Sequence, residues 1–520
     1  MIVGDQGAPL AFLETAMAEH GPVERIETHI SHLVLGPERV WKLKRAVHLP
    51  YADFGTPEQR LACCEREVTL NRRTAPDHYL CVRRITREGG GLAFDGEGEL
   101  VDAVVEMRRF DQEQLLDRLA SRGELTPELM ERLAEEVARL HAASEPDFSR
   151  PGSERVTDVL AVNEAALAGT NVFPRSEVEA LNAAFRDLAH AHRALLDARG
   201  REGRVCRAHG DLHLRNIFLE DGRPVLFDCI EFSDAIGTVD LLYDLAFLLM
   251  DLVHRRQDVF ANLLMNRYLD LTGDEAGSPL LPLFMGMRAA VRAHVTATAI
   301  GSGEDTPARR EEARAYLDLA RRLIRPKPAV LAAVGGLSGS GKSTVATLLA
   351  PMVGAGAGAR ILSSDRLRKA LHDVPAGTRL PAEAYTREVS ARVYGELGER
   401  ARTLTAAGVA VIADAVFADP AERARIEAAA RAAGVAFRGF WMEAPPQILR
   451  ARVGARKGGP SDATLSVLER QLACDLGEIT WERLDAGRSA QDVASSIRSA
   501  LEGSAAPASA PSEPHGDDAR

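Results

Sequence analysis

Apolar and polar positions alternate in short runs up to about residue 110, then recur at helical spacing, and from residue 329 switch between the two periods. Residues 8–20 predict a short amphipathic helix. Residues 23–49 carry alternating runs broken at Gly36-Pro37, the mark of a β-hairpin. Residues 57–73 predict a helix charged on one face, and residues 80–86 and 100–107 two further strands around a glycine-rich turn at 89–91. Together these describe a small antiparallel sheet with one helix packed on it. Over 126–143, Leu129, Leu133, Val137 and Leu140 share one helix face, with Thr126 as N-cap and Pro127 at the first helical position. A helix follows over 176–199, then two short strands around Asp221-Gly222 within 205–228, then helices over 240–271 and 280–324. Arg325-Pro326-Lys327-Pro328 reads as a linker. Beyond it, strands at 329–334, 360–363, 409–413 and 436–441 alternate with helices, which implies a parallel sheet. The Ala/Pro/Ser-rich end, 503–520, predicts a disordered tail.

Composition narrows the class without changing this division. The chain has 520 residues, too many for one core. A net charge of −11 argues against a general nucleic-acid binder, so small molecules are the expected partners. The six cysteines form no C-x-x-C pair, which predicts reduced thiols and neither a zinc site nor a disulfide framework. With no basic, apolar leader and no apolar run of eighteen residues, neither membrane insertion nor export is expected, and the expected location is cytoplasmic. The pattern leaves the oligomeric state open.

Two stretches carry chemistry. Residues 336–344 read GLSGSGKST and fit G-x-x-x-x-G-K-[ST] between a predicted buried strand and a helix N-terminus. In that setting the backbone of Gly336, Ser338, Gly339, Ser340, Gly341 and Thr344 wraps a polyphosphate, Lys342 reaches its outer phosphates, and the Ser343 hydroxyl ligates Mg2+. Residues 209–218 read HGDLHLRNIF, with Asp228 at the end of an apolar run twelve residues after Asn216. This is the spacing of a kinase catalytic loop, H-x-D-x-x-x-x-N, followed by a metal-binding Asp. One carboxylate takes the acceptor hydroxyl's proton, while an amide oxygen and a second carboxylate hold Mg2+ beside it.

HGD followed by N-I-F, with Asp244-Leu245-Ala246 on the next helix, resembles the aminoglycoside phosphotransferase and choline kinase branch of kinase-like folds. THISHLVL, VWKLKR, LNRRTAP, HGDLHLRNI and FDCIEF extend the resemblance over residues 1–325, to the kinase-like domain that accompanies a P-loop kinase in bacterial two-domain proteins. The resemblance implies Asp211 as catalytic base and Asn216 and Asp228 as metal ligands, with a strand lysine paired to a helix glutamate. Lys42 and Lys44 lie two apart on one strand face; Lys42 is preferred, with Glu67 as partner and Glu65 as the alternative. No G-x-G-x-x-G covers the phosphates, and residues 29–32 (HISH) stand in its place. Glu231 is open between the metal site and a plain surface position.

SGSGKST followed by SSDRLRK resembles the gluconate kinase, chloramphenicol phosphotransferase and zeta-toxin group. Asp365, after the second strand, is the candidate base or acceptor-positioning carboxylate, and Arg366 and Arg368 candidate ligands of an anionic acceptor. Asp414, ending an apolar strand, is placed to help hold Mg2+. Arg450, Arg452 and Arg456 precede a Gly-Gly-Pro loop like the lid of such kinases, with Arg452 and Arg456 favoured to close on the nucleotide. Trp481 reads as packing.

The sum is an α+β two-lobed protein-kinase-like domain, lobes 1–110 and 111–325, followed by an α/β P-loop NTPase domain over 329–502 with a parallel sheet. The expected function is ATP- and Mg2+-dependent transfer of a γ-phosphate to small-molecule hydroxyls at two ATP sites. The alternatives are a nucleotide-sensing regulator with one non-catalytic site and a zeta-toxin-like kinase of nucleotide sugars.

Overall fold

The computed structural model describes residues 4–49, 52–301, 305–456 and 459–503, and its contacts divide the chain into Met1–Arg325 and Pro326–Arg520. The tail expected beyond 503 lies outside the described residues.

In the first unit the alternating runs form one antiparallel sheet of β1 (Glu24–Glu27), β2 (Ser31–Leu35), β3 (Arg39–Lys44), β4 (Tyr79–Glu88), β5 (Gly91–Phe94) and β6 (Glu99–Arg108). The strand order is β1-β2-β3-β6-β4-β5. The period of two gives β3 two unlike faces. Trp41 and Leu43 pack with Leu13 and Met17 of α1 (Gly7–Ala18). Lys42 and Lys44 point the other way, toward α2 (Pro57–Asn71). A capping box of Thr56 and Gln59 opens α2 and presents Glu67 to that face.

After the sheet the unit is mostly helical. Thr126 caps the helix Pro127–Ala142 by accepting the Leu129 N–H, as its sequence predicts. The helix expected over 176–199 is two, Arg175–Ala191 and Arg193–Arg201, separated at His192. That expected over 240–271 also divides, into α3 (Leu241–His254) and Asp258–Thr272, because Arg256 adopts φ +62° between them. Gly152–Ala168 is a further helix, missed because its apolar residues form no single stripe. The turn at Asp221-Gly222 joins β7 (Ile217–Glu220) to β8 (Arg223–Leu226), as expected. α4 (Leu281–Gly301) and α5 (Pro307–Leu323) pack against each other, and α4 also packs on α3.

The second unit holds five parallel strands: β9 (Val330–Gly335), β10 (Arg360–Ser363), β11 (Val411–Asp414), β12 (Ala436–Glu443) and β13 (Glu482–Asp485). Their order is β10-β11-β9-β12-β13. β13 escaped the sequence reading because it is an edge strand whose sequence, ERLD, buries only Leu484. Helices cover both faces: Val345, Leu349 and Ile497 on one, Val393, Leu397 and Ile426 on the other. Trp481 is buried in the second cluster and donates to Glu427 at 2.8 Å. Among the described residues no helix is long and apolar enough to cross a membrane.

Candidate active sites

Residues 209–216 run across the buried helix α3, and two acidic residues of that helix hold them. Every residue of α3 from Leu241 to Val253 is buried, including Asp244 and Asp251, seven apart and so on one face. Asp244 accepts the backbone N–H groups of His209 (3.1 Å) and Gly210 (2.8 Å), and Asp251 that of Leu214 (3.1 Å). His209 donates from Nε2 to the Phe227 carbonyl (2.9 Å), tying the loop to the end of β8. Asn216 donates its amide to both the carboxylate and the carbonyl of Asp211, each at 2.9 Å. Burial acts to raise the Asp211 pKa, but His213, His209 and Arg288 outweigh it and hold the carboxyl well below the usual range. These neighbours favour the carboxylate form of Asp211.

Asp228 follows β8 in the left-handed region, φ +63°, a strained backbone for a non-glycine residue and one that recurs at functional positions. Its N–H donates to the Tyr79 hydroxyl (3.2 Å), and the next N–H, of Cys229, donates to Asn71 Oδ1 (2.8 Å). These bonds aim the Asp228 side chain at Lys42, 2.5 Å away. Lys42 also meets Glu67 at 2.6 Å, whereas Glu65 is exposed, so the preferred partner is the one in contact. Burial acts against the Lys42 ammonium, but Asp228, Glu67 and Glu231 more than reverse this and raise its pKa.

Lys44 is also part of this network. It is fully buried, pairs with the other oxygen of Glu67 at 2.5 Å, and contacts Glu231. Glu231, 3% exposed, is thus no surface carboxylate: one of its oxygens is on Lys44. Burial would raise the Glu67 pKa, but the two lysines reverse the effect and lower it.

A cavity of about 320 Å³ opens over this cluster. Its wall carries Lys42, Asp211 and Asp228 together with apolar Leu33, Leu35, Val40 and Met107. In place of a glycine-rich flap, the β1–β2 turn lines it: Thr28 donates its N–H to the Ser31 carbonyl (2.8 Å), and Ile30 and Ser31 face the cavity. Asn216 Oδ1 makes no hydrogen bond among the described residues, and Asp228 has one oxygen beyond that on Lys42. Such hard oxygens suit Mg2+, which takes one or two protein ligands beside substrate phosphates.

In the second unit, residues 336–341 turn from β9 into α6 (Lys342–Leu349). Gly336, Gly339 and Gly341 have φ of +138°, +85° and +88°. A Cβ on Gly339 would lie 2.7 Å from the Leu449 carbonyl oxygen, and one on Gly336 2.6 Å from that of Met442, so both require glycine. Ser338 donates its N–H to Gln471 (2.9 Å), Ser340 is buried, and Thr344 is exposed on the first turn of α6. Lys342 donates to the Leu337 carbonyl (3.2 Å). Its pKa is lowered by burial, against which Asp414 and Asp365 act only in part. Asp414, last in β11, is buried, and burial raises its pKa. A hydroxyl at Ser343 and a carboxylate at Asp414 are oxygen donors of the kind Mg2+ takes.

Asp365 lies in the first turn of α7 (Ser364–Leu371). Arg368 departs from expectation. It is 6% exposed, donates to the Ala384 carbonyl at 2.7 Å and lies over the Tyr385 ring, so it holds the 382–385 turn and does not reach toward an acceptor. Lys369 is likewise buried, against Asp462 and the Thr378 carbonyl. Of the lid arginines, on α8 (Pro446–Ala455) and at its end, Arg456 is near enough to depress the Lys342 pKa. Arg452 donates to the Ala486 carbonyl (3.0 Å), and Arg450 is occupied by Glu469 at 2.6 Å.

Sequence reasoning named Lys44 and Glu231 but not their pairing, and it missed Asp251, Asn71, Tyr79 and Asp462. The signal for Asp251 was visible: an acid repeated after seven residues in an otherwise apolar helix, LLYDLAFLLMDLVH. The others come from distant segments and left no local mark.

The family described as Phosphotransferase enzyme family matches residues 64–280, and the family described as AAA domain matches residues 331–474. Uncharacterized protein Rv2004c of Mycobacterium tuberculosis is 31% identical over 471 residues, 88% of this chain and 91% of its own. Uncharacterized protein Mb2027c of Mycobacterium bovis matches to the same extent. Among solved structures, amicoumacin kinase hAmiN in complex with AMP-PNP, Ca2+ and Ami is 12% identical, covering 62% of this chain and 95% of its own, with a TM-score of 0.40. The Mycobacterium tuberculosis APS kinase CysC, in complex with AMPPNP and APS, is 22% identical over 34% of this chain and 99% of its own, with a TM-score of 0.26. With its kinase-like α+β unit and its parallel-sheet P-loop unit, the chain belongs to the family of these mycobacterial proteins, a fusion of a phosphotransferase-family domain with a P-loop kinase-type domain.

Proposed function

We propose that the chain is a phosphotransferase with two nucleotide sites, each using ATP and Mg2+ to phosphorylate a hydroxyl of a small molecule. The observation that carries the reading is the convergence of Lys42, Asp211 and Asp228 on one cavity, from segments up to 186 residues apart, with Asn216 bonded to Asp211 and Glu67 to Lys42. At the first site Asp211 takes the proton of the acceptor hydroxyl as its oxygen bonds to the γ-phosphorus. Asn216 holds the Asp211 carboxylate in place, and Lys42, fixed by Glu67, meets the phosphates of ATP. Mg2+, when bound at Asn216 and Asp228, supplies positive charge across the β- and γ-phosphates.

At the second site the amides of 336–344 cradle the phosphates, Lys342 neutralises charge on the transferring group, and Ser343 and Asp414 offer the metal ligands. Asp365, whose charge with that of Asp414 acts on Lys342, is assigned the acceptor. Arg456 and Arg452 close over the nucleotide and exclude water. The acidic charge balance supports small-molecule acceptors over nucleic acid, and the six free cysteines support a reducing, cytoplasmic setting.

Transfer of labelled γ-phosphate from ATP into a metabolite extract tests the reading, with wild type, Asp211→Asn and Lys342→Ala compared. Asp211→Asn should abolish one product while the protein stays folded. Lys342→Ala should slow another by about 10²–10³-fold. Full activity in either folded variant refutes the assignment of that site.

A further inference from the structure

The β1–β2 turn lines the first cavity without a glycine. Residues 28–31 read Thr-His-Ile-Ser, and all four share the wall with Lys42 and Asp228. Arg45, the residue after β3, does not line the cavity but gathers the carbonyls of the turn. Its Nη1 donates to the Thr28 carbonyl (2.9 Å) and at longer range to that of His29 (3.4 Å), and its N–H donates to that of Ile30 (2.9 Å). Glu27 pairs with the guanidinium at 3.0 Å. Thr28 secures the far end: its hydroxyl donates to the Ser31 carbonyl and accepts the Ser31 N–H, both at 3.0 Å. Three successive carbonyls are thus drawn to one residue, while the N–H groups of His29 and Ile30 have no acceptor among the described residues. Backbone donors left over beside a cavity call for a ligand that accepts. A second observation points the same way. Ser31 is fully buried, and its hydroxyl has no hydrogen-bond partner among the described residues.

We infer that Arg45 is a positioning residue of the first site. By drawing the carbonyls of 28–30 to itself, it leaves the N–H groups of His29 and Ile30, with the Ser31 hydroxyl, to the phosphates of the nucleotide. The inference rests on the nucleotide reading of this site, and it needs no acceptor. Successive free N–H groups make a concave anion site. Glycine-rich loops reach such a backbone through their conformational freedom. Here a guanidinium fixes it, because a planar fork bonds two carbonyls at once where an ammonium is a single point. Arg45 acts through the turn, so its loss is felt by a phosphorylated ligand and not by the bare nucleoside.

The test is a calorimetric titration of AMP-PNP with Mg2+ into the full chain carrying Lys342→Ala, which weakens the second site. Binding lost in Lys42→Met belongs to the first site, and adenosine is measured by its displacement of AMP-PNP there. Arg45→Met should weaken AMP-PNP by about tenfold or more and change adenosine by less than about twofold. Arg45→Lys keeps the charge but not the fork and should weaken AMP-PNP severalfold; it carries the test should Arg45→Met not fold. Thr28→Val, at an exposed position, removes the hydroxyl bonds without altering charge. It should also weaken AMP-PNP severalfold, with Thr28→Ser near wild type. Unchanged AMP-PNP affinity in the Arg45 variants overturns the inference, as does an equal loss of adenosine, which marks a general collapse of the cavity. A loss with Arg45→Met that neither Arg45→Lys nor Thr28→Val shares makes Arg45 a distant charge and likewise overturns the positioning role. In each of these cases nucleotide binding at the first site still stands. No AMP-PNP binding that depends on Lys42 instead refutes the nucleotide reading of the site, and the inference with it.

Discussion

Lys44→Met is the sharpest probe of the buried network behind the first site. Lys44 is fully buried between Glu67 and Glu231, with the Glu67 oxygen 2.5 Å from its Nζ. Both carboxylate oxygens touch this one atom, so they are at most about 5 Å apart. Removing the ammonium leaves them facing each other. At an effective dielectric near 20, two like charges about 5 Å apart repel by about 3 kcal/mol. Methionine fills similar space, so packing contributes little. Unfolding the 325-residue first unit carries an entropy of about 0.7 kcal/mol/K, so its melting temperature should fall by about 4–5 °C at pH 8. The loss should depend on pH with a defined sign. The Glu231 pKa is raised by burial even with Lys44 present, and losing Lys44 raises it further. The folded variant therefore binds a proton more tightly than the unfolded chain. Its deficit is smallest at low pH and grows as pH rises through the folded pKa. Adding Glu231→Gln removes the repulsion and should restore most of the stability. Thermal scans of the full chain at pH 6 and pH 8 read both effects. A deficit independent of pH, and untouched by Glu231→Gln, would refute the reasoning.

Three further outcomes are expected. Gly339→Ala forces a side chain at φ +85° and 2.7 Å from a backbone oxygen, so nucleotide affinity at the second site should fall by about tenfold or more in equilibrium titration, with the first site unaffected. Asp462→Ala leaves Lys369, 1% exposed, without its carboxylate and frees Tyr385 and the Leu380 N–H, so limited proteolysis should cut faster within 374–386. Glu422, raised by burial to about 7, binds its proton more tightly folded than unfolded. Its contribution to stability is therefore present below about pH 4.5 and lost as pH rises through about 7, and Glu422→Gln should flatten the melting temperature of the full chain across that window.

What the sequence determined by itself was whatever chemistry writes into neighbouring residues. Glycines at 336, 339 and 341 before Lys342-Ser343 specify a phosphate loop because only glycine tolerates that backbone, and the spacing of Asp211, Asn216 and Asp228 specifies a catalytic loop because a tight turn and a hairpin set their separation. The period of two in β3 showed that Lys42 and Lys44 share a face, and residue type showed that α2 offers Glu67. Tertiary structure decided which charges meet. It placed Glu231 on Lys44, 187 residues away in the chain, and turned Arg368 inward onto the Ala384 carbonyl. It also gathered Arg215, Arg255 and Arg292 around Asp251 and Tyr316 from three separate segments. A buried charge must find its partner wherever the packed chain brings one, and that pairing, set by long-range packing, leaves no periodicity to read.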